Sequence, residues 1–248
     1  MVKKFIIVFS FCCLSLSASV INIAVAANVS YALNDLKSEF HKIYPDIKVQ
    51  VTLGSSGKLT AQIKNGAPYE LFMAANMKYP NALYAKGLAT TKPVVYAKGS
   101  LAMLSTRSQD FAKGIAITTM PNIKKIAIAN PNTAPYGKAA KEALKNASLY
   151  TLVKYKLVYA ESVSGAVAYT VNATDLGFVA KSSLFSPRMK RFKKGVNWME
   201  VDPKLYTPIK QGIVILKNAK NSRAIKAFYD FILSKKAKRI FKSYGYVL

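Results

Sequence analysis

The sequence predicts an α/β protein with two lobes, each a mostly parallel sheet flanked by helices. From about residue 20 onward, strand-like apolar runs alternate with segments whose apolar residues recur at helical spacing. Several of the strand-like runs end in turns of small or hydroxyl residues that open a helical pattern. Hydrophobic residues make up 51% of the 248 positions, which is enough for sizeable cores. Alternating strands and helices of this kind are typical of parallel sheets covered by helices.

The first elements follow from hydrophobic periodicity. Residues 20–25 alternate like a strand, and residues 47–53 do so again. Between them, residues 30–44 place four apolar side chains on one helical face, and Pro45 ends that pattern. The same reasoning predicts later strands at 71–75, 125–129, 158–160, 176–180 and 213–216, and later helices at 55–63, 137–145, 163–171 and 222–233.

Two segments are suited to carry the chain between lobes, residues 98–100 and residues 203–208. We therefore predict a discontinuous first lobe, residues 20–98 with 205–248, and an inserted second lobe, residues 99–204. Two crossings predict a hinge with a cleft between the lobes. In open α/β sheets ligands bind outside the carboxyl ends of the strands, where the strand-to-helix turns lie.

Residues 1–19 have the pattern of a cleavable secretory signal peptide. Lys3 and Lys4 precede an apolar stretch too short to span a bilayer, and small residues follow it at 17–19. Cys12 and Cys13 both lie in that stretch, so the mature chain is expected to have no thiol or disulfide. A lipid anchor on Cys12 is disfavoured because bulky Phe11 precedes it. These features predict a soluble periplasmic protein.

The chain is strongly basic. Its 37 Lys and Arg residues against 11 Asp and Glu residues give a formal net charge of +26, and loss of Lys3 and Lys4 leaves 35 minus 11, or +24. The lysines are spread along the whole sequence without an aromatic-basic motif, which disfavours nucleic acid as a partner. A solvated basic surface is the favoured interpretation. Anion steering, or binding of acidic polymers or membranes, is the alternative.

The sequence is poorly equipped for catalysis. His41 is the single histidine and lies on an amphipathic helical pattern, where a surface position is expected. The acidic residues are scattered, and no cluster has the spacing of metal ligands. We predict no catalytic residue, no cofactor and no direct metal ligand. Trp198 is expected to pack in the second lobe.

Four strand-to-helix turns carry the functional signal. They contain Ala26-Ala27-Asn28, then 54–59 with Ser55 and Ser56, then Tyr136 in 134–137, and finally Val163 in 161–165. Free N–H groups and the helix dipole make such helix starts binding sites for anions. Ser56 supplies a hydroxyl, Tyr136 and Val163 supply backbone amides, and Ser162 is a candidate N-cap. Asn28 either caps a helix or faces the ligand, Ser55 and Ala27 are weaker candidates, and Lys58 is expected to be solvated.

Three of these turns closely resemble the ModA-type molybdate-binding proteins of ABC transporters. They are the turns at 26–28, 54–59 and 134–137, and the likeness at the second continues through residue 75. The likeness extends over nearly the whole mature chain, to the endings 227–231 and 240–245. The resemblance implies a type II periplasmic binding protein, whose lobes close on a dehydrated tetrahedral oxyanion. It implies capture of molybdate for delivery to a membrane permease, by a protein expected to be monomeric.

By motif, the resemblance assigns oxyanion binding to Asn28, Ser56 and the amides of Tyr136 and Val163. The metal is then bound only as its oxyanion. Many relatives have a tyrosine hydroxyl where this chain has Ala180, so that donor is expected to be absent. Donor-only sites favour fully deprotonated anions. Tungstate and sulfate therefore remain alternatives to molybdate, because cavity size decides among them.

Overall fold

The computed structural model describes residues 19–219 and 223–248. The predicted signal peptide falls almost wholly on residues 1–18, outside this range, as do Cys12 and Cys13. No helix of the described part is long and apolar enough to cross a membrane.

Ten strands and eight α-helices alternate along the described chain. The strands are β1 (Ser19–Ala26), β2 (Ile47–Gly54), β3 (Leu71–Ala74), β4 (Val94–Gly99), β5 (Leu101–Leu104), β6 (Ile126–Ala129), β7 (Leu157–Ala160), β8 (Leu176–Ala180), β9 (Trp198–Glu200) and β10 (Ile209–Ile215). The helices are α1 (Leu33–Ile43), α2 (Ser56–Lys64), α3 (Lys78–Ala85), α4 (Pro135–Asn146), α5 (Tyr150–Val153), α6 (Val163–Asn172), α7 (Arg223–Leu233) and α8 (Lys235–Ser243). The α/β class predicted from periodicity is confirmed.

The strands form two five-stranded sheets, in the orders β2-β1-β3-β10-β4 and β7-β6-β8-β5-β9. In the first sheet β1 pairs in parallel with β2 and β3, whereas β10 is antiparallel to β3 and β4. In the second sheet β6 pairs in parallel with β7 and β8, whereas β5 is antiparallel to β8 and β9. Each sheet is thus mixed, with four strands in one direction and one reversed.

The two reversed strands are those that follow a passage between the sheets. Ser100 alone separates β4 in the first sheet from β5 in the second. Residues 201–208 lead back from β9 to β10. The structure is therefore two-lobed with two crossings, although the exact predicted boundaries after residues 98 and 204 stay predictions.

Each lobe has its own apolar core. In the first lobe the Phe40 ring of α1 meets Phe228 of α7 edge to face, with ring centroids 5.0 Å apart. In the second lobe β6 and the inner face of α4 share a core with Phe178 and Leu176 of β8. Trp198 packs with Leu104 and Val179 in the same lobe, as expected. These cores hold the carboxyl ends of β1, β2, β6 and β7 in fixed positions.

One predicted element differs in a way that affects the site. The sequence predicts a single helix over residues 30–44, whereas the chain leaves β1 through a 3₁₀ helix, Ala27–Tyr31, before α1 begins at Leu33. A 3₁₀ helix is more tightly wound than an α-helix. The tighter turn places Asn28 inside the protein, with none of its surface exposed.

Candidate functional site

The four predicted turns meet at one small cavity between the lobes. The space open to the centre of a water-sized sphere is about 10 Å³. It is lined by Ala26, Ala27, Asn28, Gly54, Ser55, Ser56 and Ala75 from the first lobe and by Ala134, Pro135, Tyr136 and Val163 from the second. The structure thus brings together all six predicted site residues.

Three α-helices begin at this cavity. Ser56 is the first residue of α2, Tyr136 is the second residue of α4, and Val163 is the first residue of α6. Backbone N–H groups in the first turn have no acceptor within their own helix, and the helix dipole is positive at that end. Ser162 caps α6 by accepting a hydrogen bond from the Gly165 amide, as predicted. The converging helix starts favour an anion in the cavity.

Ser56 is held as a hydrogen-bond donor. Its side chain is fully buried, and Oγ accepts a 2.9 Å hydrogen bond from the Ala75 amide. A hydroxyl that already accepts one bond still has its proton to donate. Ser56 therefore offers both a hydroxyl proton and a first-turn amide to the cavity that it lines.

Ser55 behaves differently from Ser56. Its backbone N–H and its hydroxyl both donate to Glu161 Oε1 of the other lobe, at 3.2 and 2.9 Å. Both of its donors are thus used in a contact between lobes. Ser55 lines the cavity but has no donor left for a ligand in this arrangement.

Asn28 is neither a helix cap nor an exposed residue. Its Nδ2 donates to Gln211 Oε1 at 2.7 Å and to the Tyr246 hydroxyl at 2.9 Å. Its backbone carbonyl accepts from the hydroxyls of Ser182 and Tyr246, both at 3.0 Å. The Oδ1 atom is buried without a hydrogen-bond partner among the described residues.

The Tyr136 ring packs inside the protein. Only the backbone of this residue reaches the cavity, at the point where α4 begins. Its side chain is 2% exposed, within the core of the second lobe. Burial first, and then the neighbouring phenols of Tyr246 and Tyr96, raise its pKa well above the usual value. The hydroxyl is neutral at physiological pH. It lies over Gly99, where any Cβ would collide with it.

Further contacts join the lobes around the cavity. The Ser164 hydroxyl donates to the Ala27 carbonyl at 2.8 Å, and the Gly57 amide donates to the Thr133 carbonyl at 2.8 Å. The Tyr79 hydroxyl donates to the Thr133 carbonyl at 3.3 Å. The two lobes are therefore in direct contact around the cavity.

No charged side chain belongs to the cavity lining. Lys58 is exposed on α2, and His41 is exposed on α1, as expected for both. Within residues 19–219 and 223–248, no group of three or more His, Cys, Asp or Glu side chains is placed to hold a metal ion. The donors around the cavity are amide N–H groups and a hydroxyl, which suit an anion rather than a cation.

At the end of β8 the chain has the methyl group of Ala180, which is buried and lies outside the cavity lining. Two residues later, Ser182 bonds the Asn28 carbonyl instead of a ligand. The segment after β8 therefore helps to hold the Asn28 backbone in place through the Ser182 hydrogen bond.

Gln211 and Tyr246 were not predicted from the sequence, although both bond directly to Asn28. Gln211 is fully buried in β10, where it is a polar residue between Ile209 and Ile213. A polar residue within an apolar strand is the feature of the sequence that could have pointed to Gln211. Tyr246 lies near the end of the sequence, where no periodic pattern indicates a role for it. Only the pairing of distant segments brings either residue to the site.

Comparisons with known proteins agree with the fold. A sequence profile of bacterial extracellular solute-binding proteins matches residues 21–247. The molybdate-binding protein ModA of Azotobacter vinelandii is 35% identical over 233 residues, which are 93% of this chain and 91% of that protein. ModA of Rhodobacter capsulatus is 34% identical over 229 residues, 90% of this chain and 86% of that protein.

A solved structure shares the architecture. The periplasmic molybdate-binding protein of Azotobacter vinelandii superposes with a TM-score of 0.82 and 32% sequence identity. The match covers 92% of this chain and 99% of that one.

Proposed function

Because the chain belongs to the bacterial extracellular solute-binding proteins, we propose that it captures molybdate in the cavity between its lobes. Its role is then to carry the anion to an ABC permease in the membrane. No catalytic step is part of this proposal, and molybdenum is bound as its oxyanion without direct ligands. The relatives named molybdate-binding proteins support the choice of ligand.

The observation that carries the proposal is the convergence of donors on an uncharged cavity. Ser56 contributes a hydroxyl proton and an amide, while Tyr136 and Val163 contribute first-turn amides from the opposite lobe. A fully deprotonated anion needs only donors, whereas a protonated phosphate also needs an acceptor. The donors of these three residues therefore suit a fully deprotonated anion such as molybdate, tungstate or sulfate.

The energetics are adequate without a cationic side chain. A hydrogen bond to a charged group contributes about 1.5 to 3 kcal/mol, and nanomolar affinity requires about 12 kcal/mol. Several converging donors can together reach this value. Closure of the lobes also contributes to the affinity, because Ser56 comes from one lobe and the two backbone amides come from the other.

The test is ligand-linked stabilisation followed by calorimetry. Molybdate at 1,000 times its Kd is expected to stabilise the protein by about 4 kcal/mol, which raises the melting temperature. Titrations with molybdate, tungstate and sulfate then rank the anions. A melting temperature that none of the three anions changes would refute the proposal. Preference for tungstate or sulfate would keep the mechanism and change the ligand.

A basic protein that binds acidic polymers or membranes is the distant alternative. Such binding would weaken with salt and would not change on substitution of Ser56. The cellular part of the proposal is export by the signal peptide and action as a periplasmic monomer. N-terminal sequencing of the exported protein and sedimentation velocity test these two points.

A further inference from the structure

Behind the cavity lies a buried network of polar side chains that no binding role yet explains. Gln211 Oε1 accepts from Asn28 Nδ2 at 2.7 Å and from the Tyr96 hydroxyl at 2.8 Å. The Tyr246 hydroxyl accepts from the same Asn28 nitrogen at 2.9 Å. The Tyr136 hydroxyl and Gln211 Nε2 both lie against Gly99. All five side chains are buried.

Three atoms of this network have no hydrogen-bond partner among the described residues. They are Asn28 Oδ1, Gln211 Nε2 and the Tyr136 hydroxyl oxygen. A buried polar group without a partner is energetically unfavourable, and such groups are rare in folded proteins. Three of them around one amide pair indicate that the network has a second, better satisfied arrangement.

That arrangement follows from rotating the terminal amides of Asn28 and Gln211 together by 180°. The rotation exchanges oxygen and nitrogen in each amide at nearly constant shape. Gln211 Nε2 then donates to Asn28 Oδ1 and to the Tyr96 oxygen, and Gln211 Oε1 faces the Tyr136 hydroxyl as an acceptor. The Tyr246 hydroxyl turns its proton from the Asn28 carbonyl to Asn28 Oδ1, and that carbonyl keeps its bond from Ser182. Asn28 Nδ2 takes the place of the unpartnered Oδ1 and becomes a free donor.

The two rotations are linked. One hydrogen bond joins the two amides, so one of the two bonded atoms must donate and the other must accept. Rotation of Asn28 alone would place two oxygens 2.7 Å apart. The orientation of Gln211 therefore decides whether Asn28 presents a donor or an acceptor to the cavity that it lines.

We propose that Gln211 is a positioning residue that turns the Asn28 amide nitrogen toward the bound anion. The proposal rests on the proposed function, because the oxyanion is what satisfies the freed Asn28 N–H. In this way Gln211 makes the site donor-only, and it does so without touching the ligand.

The fold gives Gln211 a fixed position for this role. It lies in β10, between β3 and β4, and the register with β4 shifts between Gln211 and Gly212. Gln211 pairs with Ala97 and Gly212 pairs with Val95, so Tyr96 has no partner directly opposite. A β-bulge of this kind redirects a side chain. Here it places the Tyr96 hydroxyl on the Gln211 amide.

A double-mutant cycle on molybdate affinity tests the inference. The variants are Gln211→Met, Asn28→Ala and the double variant, with the exposed Gln50→Met as the matched control. We expect Gln211→Met to weaken molybdate binding about tenfold in the natural protein, equivalent to about 1.4 kcal/mol. In the Asn28→Ala background the same change should have less than about a twofold effect, because its route to the ligand is gone.

The NMR signals of the Asn28 side-chain amide give a second test. A purely structural role of Gln211 would leave their response to molybdate unchanged. The Asn28 NH₂ pair is identified by its absence from the ¹⁵N-edited spectrum of Asn28→Ala. On addition of molybdate, this pair should shift and become protected from solvent exchange in the natural protein. In Gln211→Met we expect that protection to be lost. If Gln211→Met fails to fold, Gln211→Leu, which also removes the amide, replaces it in both measurements.

The outcomes separate the two proposals. A natural protein that binds molybdate, together with equal losses for Gln211→Met in both backgrounds or no loss in either, overturns the role of Gln211 only. Protection of the Asn28 NH₂ pair that persists in Gln211→Met overturns it as well. A natural protein that binds no oxyanion overturns the proposed function and this inference with it.

Discussion

The backbone amide of Ala75 donates a 2.9 Å hydrogen bond to Ser56 Oγ. Ala75 immediately follows β3, and Ser56 begins α2, so two neighbouring segments of the first lobe fix the orientation of one hydroxyl. Because one lone pair of Ser56 Oγ accepts from a rigid backbone group, the hydroxyl proton points away from that group. This contact orients the Ser56 hydroxyl so that it can donate a hydrogen bond into the cavity.

Substitution of Ser56 by Ala is expected to weaken molybdate binding by about 1 to 3 kcal/mol, because a hydrogen bond to a charged group is lost. Isothermal titration calorimetry measures the change. Ser38→Ala, on the exposed face of α1, is the matched control and should bind as the natural protein does. Equal affinity of Ser56→Ala and Ser38→Ala would remove Ser56 from the site.

Gly57→Ala is expected to hinder closure of the lobes. A Cβ at this position would lie 2.9 Å from the Thr133 carbonyl oxygen and 2.8 Å from the Tyr79 hydroxyl. Such overpacking costs about 1 to 3 kcal/mol, and a loss of 1.4 kcal/mol lowers affinity about tenfold. Small-angle X-ray scattering with saturating molybdate should give a larger radius of gyration than for the natural protein. Lys58→Ala, exposed on the same helix, serves as the control, and identical radii for both variants would contradict the prediction.

Gly99→Ala is expected to destabilise the protein through the Tyr136 hydroxyl. The added methyl group would collide with that oxygen at the crossing between the lobes, at a cost of about 1 to 3 kcal/mol. Removal of the oxygen in Gly99→Ala/Tyr136→Phe should recover part of the lost melting temperature. The recovery is measured against Tyr136→Phe alone, as a double-mutant cycle. A double variant that melts no higher than Gly99→Ala would show that the clash has another origin.

The contacts of Asp175 predict that the free energy of unfolding falls at acid pH. Desolvation raises the pKa of its carboxyl, but hydrogen bonds from the amides of Lys125 and Lys124 and the charge of Arg107 outweigh this effect and hold the pKa below its usual value. The two amide contacts are 2.9 and 2.8 Å long. The resulting stabilisation is present above the unfolded pKa of about 3.9 and is lost as the pH falls through the lower folded value.

We therefore expect Asp175→Asn to lower the melting temperature by about 2 to 4 °C at pH 7, a shift equivalent to about 1 kcal/mol in a chain of this size. The difference from the natural protein should narrow steadily as the pH falls below about 4. Thermal melts in a pH series check this. Asp46→Asn, at an exposed position before β2, controls for the loss of one negative charge. A difference that stays constant down to pH 2.5 would exclude Asp175 as its source.

Much of the fold could be predicted because local pattern decides it. The runs at 20–25 and 176–180 form strands almost as predicted, since apolar runs of that length fit a buried sheet. Residues 163–171 form a helix because a serine cap and continuous helical spacing agree. The mixed character of the sheets was not predicted, because the direction of β5 and β10 depends on the route of the chain between lobes.

Local patterns were sufficient to predict the two-lobed α/β architecture and the turns that meet at the cavity, including Asn28, Ser56, Tyr136 and Val163. Turn chemistry is local, so residue type and spacing carry it. Three contacts follow instead from how distant segments pack: Ser55 with Glu161, the burial of Asn28 by the 3₁₀ helix, and Gln211 against Asn28. Asn28 and Gln211 are 183 positions apart, and no local periodicity specifies which buried amide another will meet. That choice depends on sheet order and register, which long-range packing sets.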